Sequence, residues 1–244
     1  MEVDSTNRYA RDEAAVLWAS AGGRMAVAVV SDHQTAGRGQ RGNTWQSLPG
    51  CNLLLSIMVK PGNRLLVAEQ FLLSQAVAVA MHRAMMEHGV DVGLKWPNDV
   101  YVGCRKLAGV LVELDYSGVC IEQAIIGIGV NVNQMCFPAM DRVPVSMKML
   151  LGKDVAVDDV LVSVINSFEY YYGLLLDGKE TAVTDEYRAL LLGMGELRDY
   201  VDSKGSFKAV MEGVEPSGAL LLRRSDGTLS RYMFKEVEQS ISDV

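Results

Sequence analysis

Residues 37–45 run Gly-Arg-Gly-Gln-Arg-Gly-Asn-Thr-Trp (GRGQRGNTW), three glycines and two arginines in one short loop. Gly37, Gly39 and Gly42 fit the G-x-G-x-x-G spacing of a dinucleotide-binding turn. Such a turn must open a helix and be followed by an acidic residue about 20 positions on. Here Asn43-Thr44-Trp45-Gln46-Ser47-Leu48-Pro49 offers no helical start, and no carboxylate appears before Glu69. No G-x-x-x-x-G-K-[ST] stretch exists either, so the doubly wound and P-loop folds are both set aside. The loop has another character. No acid lies between Asp32 and Glu69, while Arg38, Arg41, Lys60 and Arg64 all do, in a chain whose net charge is −7. An acidic protein with a local cationic island around flexible glycines points to an anion site. Glycines admit a ligand close to the backbone. Arg38 and Arg41 offer forked donors for phosphate or carboxylate, each charge-assisted bond being worth roughly 1.5–3 kcal/mol. Trp45 either stacks on a ligand or buries itself.

Outward from the loop, the chain mixes helices and strands without strict alternation. Asp4-Ser5-Thr6-Asn7 is a run of helix-capping residues, and the amphipathic stretch after it predicts a helix over about 7–21. Strands are expected at 25–31 and 52–60, on either side of the loop. The apolar run from Arg64 to His88 predicts a central helix. Short strands follow at 92–96, 100–102, 108–114 and 123–131, then helices at 157–176 and 181–192. Tyr170-Tyr171-Tyr172 falls on the first of these last two helices and reads as packing. From Gly193 onward the pattern becomes short alternating runs. Turns are marked by Ser203-Lys204-Gly205, Pro216-Ser217-Gly218 and Ser225-Asp226-Gly227, which reads as a small β-barrel. The expected class is α+β: a mixed β-sheet flanked by helices over residues 1–192, and a second β domain over 193–244.

Composition excludes several functions. With 49% hydrophobic and 22% charged residues the chain is an ordinary globular protein. Its 30 acids against 23 Lys and Arg make a poor nucleic-acid clamp, so no nucleic acid is expected. Met1 to Asn7 hold no apolar signal sequence, and Glu69, Arg83 and Glu87 interrupt the most apolar stretch, so no membrane association is expected. Cys51, Cys104, Cys120 and Cys136 form no CxxC pair and read as reduced thiols of a cytoplasmic protein. The three histidines form no zinc motif.

Two further clusters accompany the loop. One is KWPND at 95–99, followed by KLAGVLVE at 106–113. The other is GIGVNVN at 127–133. In this order, from Asp4-Ser5-Thr6-Asn7 to the terminal GVEPSGALLL (213–222), the chain resembles biotin protein ligases. That family's loop has the form GRGRxGRxW. The resemblance implies a class II synthetase-like catalytic domain with a C-terminal SH3-like β-barrel. It also implies a two-step reaction. Biotin, the substrate, is activated with ATP and Mg²⁺ as biotinyl-5′-AMP, then transferred to a lysine of a biotin carboxyl carrier domain.

The resemblance assigns roles residue by residue. Ser5, Thr6, Asn7 and Gln34 would hold the biotin head group. Gly37, Arg38, Gly39, Gln40 and Gly129 would line the acyl chain and its adenylate. Lys106 would bridge the biotin carboxylate and the α-phosphate, and with Arg38 and Arg41 would carry catalysis. Arg38, Arg41, Asn43, Trp45, Asn98, Lys106 and Asn131 would bind ATP. Lys95 would contact phosphate or the acceptor. No metal site is assigned, Mg²⁺ being expected mainly on the ATP phosphates, with Asp99 and Glu113 as the carboxylates at hand. The chain departs from the pattern at Gln40 and Asn43, where the family often has arginine. The motifs begin at Asp4, so the family's N-terminal DNA-binding domain is not expected. Two alternatives are a lipoate-type ligase and a non-catalytic biotin-responsive protein. A homodimer through a sheet edge stays open.

Overall fold

The structure, a computed structural model, describes residues 1–138 and 143–240, with the side chain of Arg41 outside the described set. The chain opens with a two-residue strand β1 (Glu2–Val3), helices α1 (Thr6–Asp12) and α2 (Ala14–Ser20), strand β2 (Ala26–Ser31) and a second short strand β3 (His33–Gln34). Then come β4 (Leu53–Val59), β5 (Gly62–Leu66), α3 (Phe71–Glu87), β6 (Gly93–Lys95), β7 (Asp99–Val102), β8 (Arg105–Ser117) and β9 (Cys120–Val130). Helices α4 (Met147–Leu151), α5 (Val157–Leu176) and α6 (Glu180–Leu190) precede β10 (Leu197–Asp202), β11 (Gly205–Val214), β12 (Leu220–Arg224), β13 (Leu229–Tyr232) and β14 (Val237–Gln239).

Among the described residues, seven strands form one sheet in the order β2-β4-β9-β8-β7-β6, with β5 paired to β9. The α+β class holds. The sheet is antiparallel in every pairing, however, and not mixed; parallel pairing between strands is confined to β1 with β3. Consecutive hairpins link β6 to β9, and only parallel strands need crossover helices.

Alternation along the strands gives the sheet two different faces. Leu53, Leu55, Ile57, Ile126 and Ile128 point to the face covered by α3 and α5. Val29, Met58 and Ile125 point to the other, where Ala10 of α1 meets them. Helix α3 is buried nearly all round because it lies between the sheet, α5 and α6. Ala76, Ala80 and Ala84 let the neighbours approach, and Met81 fills the space with no exposed surface. Met81→Ala should lower stability by about 2–5 kcal/mol, read as a drop in the urea midpoint at constant m-value.

Several elements differ from expectation. The predicted helix from Arg64 starts only at Phe71. Gly62–Leu66 is instead strand β5 on the end of β9, with Leu65 buried. Two leucines suit either state, and here the Val67 N–H donates to the Val119 carbonyl at 2.9 Å, tying the end of the strand to the chain before β9 ahead of a 3₁₀ turn at Val67–Glu69. The helix expected over 7–21 is divided at Glu13 by backbone angles, yet hydrogen bonds from Glu13 N–H to Tyr9 O and from Leu17 N–H to Glu13 O run through. Helix α4 carries no periodic signal. It is capped by Ser146, which accepts from Met149 N–H at 3.2 Å, and closed by Gly152 at φ +69°. Of the three tyrosines, Tyr171 and Tyr172 are buried, and Tyr170 lies outside beneath the Arg83 guanidinium.

The C-terminal strands form a five-stranded antiparallel sheet, β13-β12-β11-β10-β14, an open path among the described residues. Tyr200, Met211, Leu222 and Val237 of this sheet belong to the same buried cluster as Leu73 and Trp96. Trp96 clamps the two sheets together. Its ring lies 5.4 Å from Phe234, and its Nε1–H donates to the Gly218 carbonyl at 3.0 Å. Burial pushes the Tyr200 phenol up to about 12, so it stays neutral and acts by packing on Phe207. None of the four cysteines is in a disulfide.

Candidate active site

The register of the large sheet lays out the site. Asp99, Gly109, Gly129 and Leu54 are successive cross-strand partners on β7, β8, β9 and β4. Leu111, Gly127 and Ser56 form the next row, and Glu113 lies two residues beyond Leu111. The face carrying these rows lacks side chains at its centre. Three glycines make a floor, and three functional side chains lie directly on it. A Cβ on Gly127 would come within 2.5 Å of Asn7 Oδ1, and one on Gly129 within 2.5 Å of the Trp45 ring. One on Gly109 would meet Lys106 Nζ at 3.1 Å. Both of the first two approaches are closer than any Cβ tolerates.

One end of the resulting cavity is a buried polar seat. Pairing of Val3 with Gln34 brings β3 beside the start of α1. The Thr6 backbone N–H and hydroxyl then donate to Gln34 Oε1 at 2.7 and 3.1 Å. Ser56, with no exposed surface, stands within hydrogen-bond distance of Thr6 Oγ1 (2.8 Å) and Asn7 Oδ1 (2.6 Å). Asn7 Nδ2 donates to Glu113 Oε2 at 2.8 Å. Ser5, Thr6 and Asn7 are all buried yet line the cavity. The Thr6 and Asn7 side chains can be held there because each has a partner.

The other end is cationic. Lys106 Nζ donates to Asp99 Oδ1 at 2.7 Å and stands 5.9 Å from the Trp45 ring centroid. The glycine-rich loop closes one side. Gly39 N–H donates to the Asn43 carbonyl at 2.7 Å and Trp45 N–H to the Gly37 carbonyl at 2.9 Å, around a 3₁₀ turn at Gln40–Gly42. A Cβ on Gly37 would run into the Trp45 carbonyl. Arg38 reaches back from the loop to Glu113, donating to its two oxygens at 2.9 and 3.2 Å. The turn Trp96-Pro97-Asn98 faces the loop, and Val237, Glu238 and Gln239 of β14 complete the wall.

The sequence-derived residues fall as follows. Ser5, Thr6, Asn7, Gln34, Arg38, Gly39, Gln40, Asn43, Trp45, Asn98 and Lys106 line one cavity, as do Gly129 and Lys95. Gly37 is not among the lining residues; it starts the loop, where its carbonyl accepts from Trp45 N–H. Asn131 sits behind the wall: its amide donates to the Val145 and Lys106 carbonyls at 3.2 and 3.4 Å, tying β9 to the start of β8 and the segment before α4. The Asn98 amide likewise donates to the Val110 carbonyl, although Asn98 also faces the cavity. The Arg41 side chain lies outside the described residues. Among the described residues no group of three or more histidines, cysteines or carboxylates gathers to hold a metal. Asp99 and Glu113, the carboxylates singled out from the sequence, each pair with a cation, Lys106 and Arg38.

Residues 3–131 match the model of the biotin/lipoate A/B protein ligase family. The biotin–[acetyl-CoA-carboxylase] ligase of Paracoccus denitrificans is 30% identical over 233 residues, which cover 92% of each chain. The chain belongs to the biotin/lipoate A/B protein ligase family. The bifunctional ligase/repressor BirA of Bacillus subtilis is 30% identical over 84% of this chain, which spans 63% of that relative's length. Among solved structures, the biotin protein ligase of Aquifex aeolicus in complex with biotin and ATP superposes with a TM-score of 0.80 at 25% identity. That match covers 99% of this chain and 97% of that one.

Against this ligase-family fold, the sequence reading overlooked Ser56, Gly109, Gly127 and the β14 residues. Gly127 opens the quoted GIGVNVN motif, and its two-residue spacing from Gly129 signals a shared strand face. Ser56 lies in an apolar strand, where an isolated hydroxyl is itself a signal of a buried partner. Val237–Gln239 carries no local signal at all.

Proposed function

We propose that the chain is a biotin–[acetyl-CoA-carboxylase] ligase. The observation that carries this reading is the polarity of the cavity. A buried, hydrogen-bonded seat at Thr6, Asn7, Gln34 and Ser56 suits an uncharged head group. A floor of three glycines follows, and the Lys106 ammonium at its far end suits an anion, with Arg38 reaching in from the loop on the side of Glu113. Biotin has this sequence of parts: a neutral ureido ring, an aliphatic chain and a carboxylate.

In the first step a biotin carboxylate oxygen bonds to the α-phosphorus of MgATP and pyrophosphate leaves. Lys106 offsets the charge that builds where the two anions meet, and Arg38 orients the acyl end. In the second step the acceptor lysine amine attacks the acyl carbon, AMP leaves, and the amine proton is lost to solvent or a base. Trp45 is the packing surface for the adenine, and Asn43 and Asn98 stand at the nucleotide end. Mg²⁺ bound to the ATP phosphates would supply charge neutralisation there. Residues 1–192 form the adenylating domain, and residues 193–244 supply the wall at Val237 and Glu238 that covers it. The acceptor is a biotin carboxyl carrier domain, and cysteines outside any disulfide suit a cytoplasmic setting.

Incubation with biotin and MgATP should release one pyrophosphate per adenylate formed. Adding an acceptor domain should give it the mass of one biotin per molecule. Lipoate in place of biotin should release none. Release with lipoate but not biotin would turn the reading to the lipoate branch, and no release with either would sink it.

A further inference from the structure

Glu113 occupies a position the proposed chemistry does not use. Its carboxylate lies two residues along β8 from the floor, partly buried, and carries two unlike loads. Oε2 accepts from Asn7 Nδ2 at 2.8 Å, and the same group accepts both contacts of the Arg38 NH2 nitrogen. Asn7 belongs to the head-group seat, and Arg38 to the glycine-rich loop. Among the described residues no other side chain is hydrogen-bonded to both.

Each contact fixes something. Ser56 Oγ stands 2.6 Å from one end of the Asn7 amide and a carboxylate, which can only accept, takes the other. The amide therefore has one orientation, with Oδ1 towards Ser56 and Nδ2 towards Glu113. On the loop side, only the NH2 nitrogen of Arg38 is engaged by Glu113. A guanidinium has five N–H donors in a rigid fork, so the remaining ones are left for an anion while the ion pair stands. The pair holds the loop without sequestering its charge.

We infer that Glu113 is a positioning residue for the reaction: through one carboxylate it couples a seated head group to the placement of Arg38, and so lets the loop arrive in register with the acyl end. This rests on the ligase reading given above. It also assigns Glu113 to Arg38 rather than to Mg²⁺.

Two variants separate the loads. Glu113→Gln keeps an acceptor for Asn7 but cannot pair with Arg38. Glu113→Leu loses both. Biotin binding without ATP, measured by calorimetry, should change less than threefold in Glu113→Gln and more than tenfold in Glu113→Leu. The kcat for biotin-dependent pyrophosphate release should fall about tenfold or more in Glu113→Gln. Arg38→Ala should show a similar loss, and combining it with Glu113→Gln should add less than threefold. A general structural role would instead give independent, multiplying losses and a shared drop in thermal midpoint. Multiplying losses, or an unchanged kcat in Glu113→Gln, would overturn the inference. A Glu113→Gln loss restored by raising Mg²⁺ would overturn it in favour of a metal ligand. Absence of biotin-dependent pyrophosphate release in the unsubstituted protein would be the failure of the ligase reading, a result the variants cannot mimic.

Discussion

Lys106→Ala will reduce biotin-dependent pyrophosphate release by about two to three orders of magnitude, the cost of removing one preorganised charge donor from a transition state. Lys106 is the cation nearest the end of the floor, fixed by Asp99 at 2.7 Å and set beside Trp45. Its side chain is 21% exposed and that of Asp99 11%, so water screens the charge poorly. In the ground state the ammonium neutralises Asp99. As the biotin carboxylate and the α-phosphate converge, their combined charge exceeds that of Asp99, and the ammonium contributes more than it did before. That difference, rather than binding as such, lowers the barrier. Lys106→Met keeps the aliphatic stem over Gly109 and loses only the charge, so it separates the electrostatic loss from lost packing. Both variants should bind biotin alone within about tenfold of the unsubstituted protein. A Lys106→Met enzyme with kcat within threefold of normal would remove Lys106 from the chemistry.

Gly127→Ala carries the second large effect. The added methyl has no room, because Asn7 Oδ1, Cγ and Nδ2 all lie within 3.1 Å of it. Asn7 is 2% exposed and held by Ser56 and Glu113, so its amide cannot swing aside without breaking both contacts. Losing them should weaken biotin binding roughly 10- to 100-fold, at 0.5–1.5 kcal/mol for a neutral hydrogen bond and more for one to a carboxylate. Calorimetric titration with biotin reads this directly. The double variant Asn7→Ala/Gly127→Ala distinguishes a local clash from damage to β9. With Asn7 truncated, the extra methyl should cost less than threefold beyond Asn7→Ala alone. A further tenfold loss would mean the strand itself had been disturbed.

Much of this was legible in the sequence, for identifiable reasons. Helix α5 matches its expected bounds because its apolar positions repeat at helical spacing over twenty residues. The loop was recognisable because its glycines lack a helix after them and its neighbourhood lacks acids. Gln34 and Arg38 could be given roles by resemblance, but what places them is nonlocal. Two residues of β1 lie in register with two of β3, and one carboxylate on β8 reaches the loop. Neither has a period to detect. At Arg64–Leu66 the helix expectation fails because two leucines after an arginine fit a strand edge as well as a helix turn. Asn131 reads as a ligand-binding amide, and the folded chain gives its Nδ2 a further task, donating to carbonyls at the strand ends. Backbone demands of that kind appear only once the chain is folded.

The wall of the cavity has a consequence for stability. Residues 5–7 and residues 237–239 border the same space, and the buried cluster runs unbroken between the two sheets. Strand β14 contributes neither the seat, the floor nor the lysine, only the wall that encloses them. The pocket is enclosed only when the segments at 5–7 and 237–239 are both in place. A molecule bound inside it then adds its binding free energy to the resistance of both sheets to unfolding.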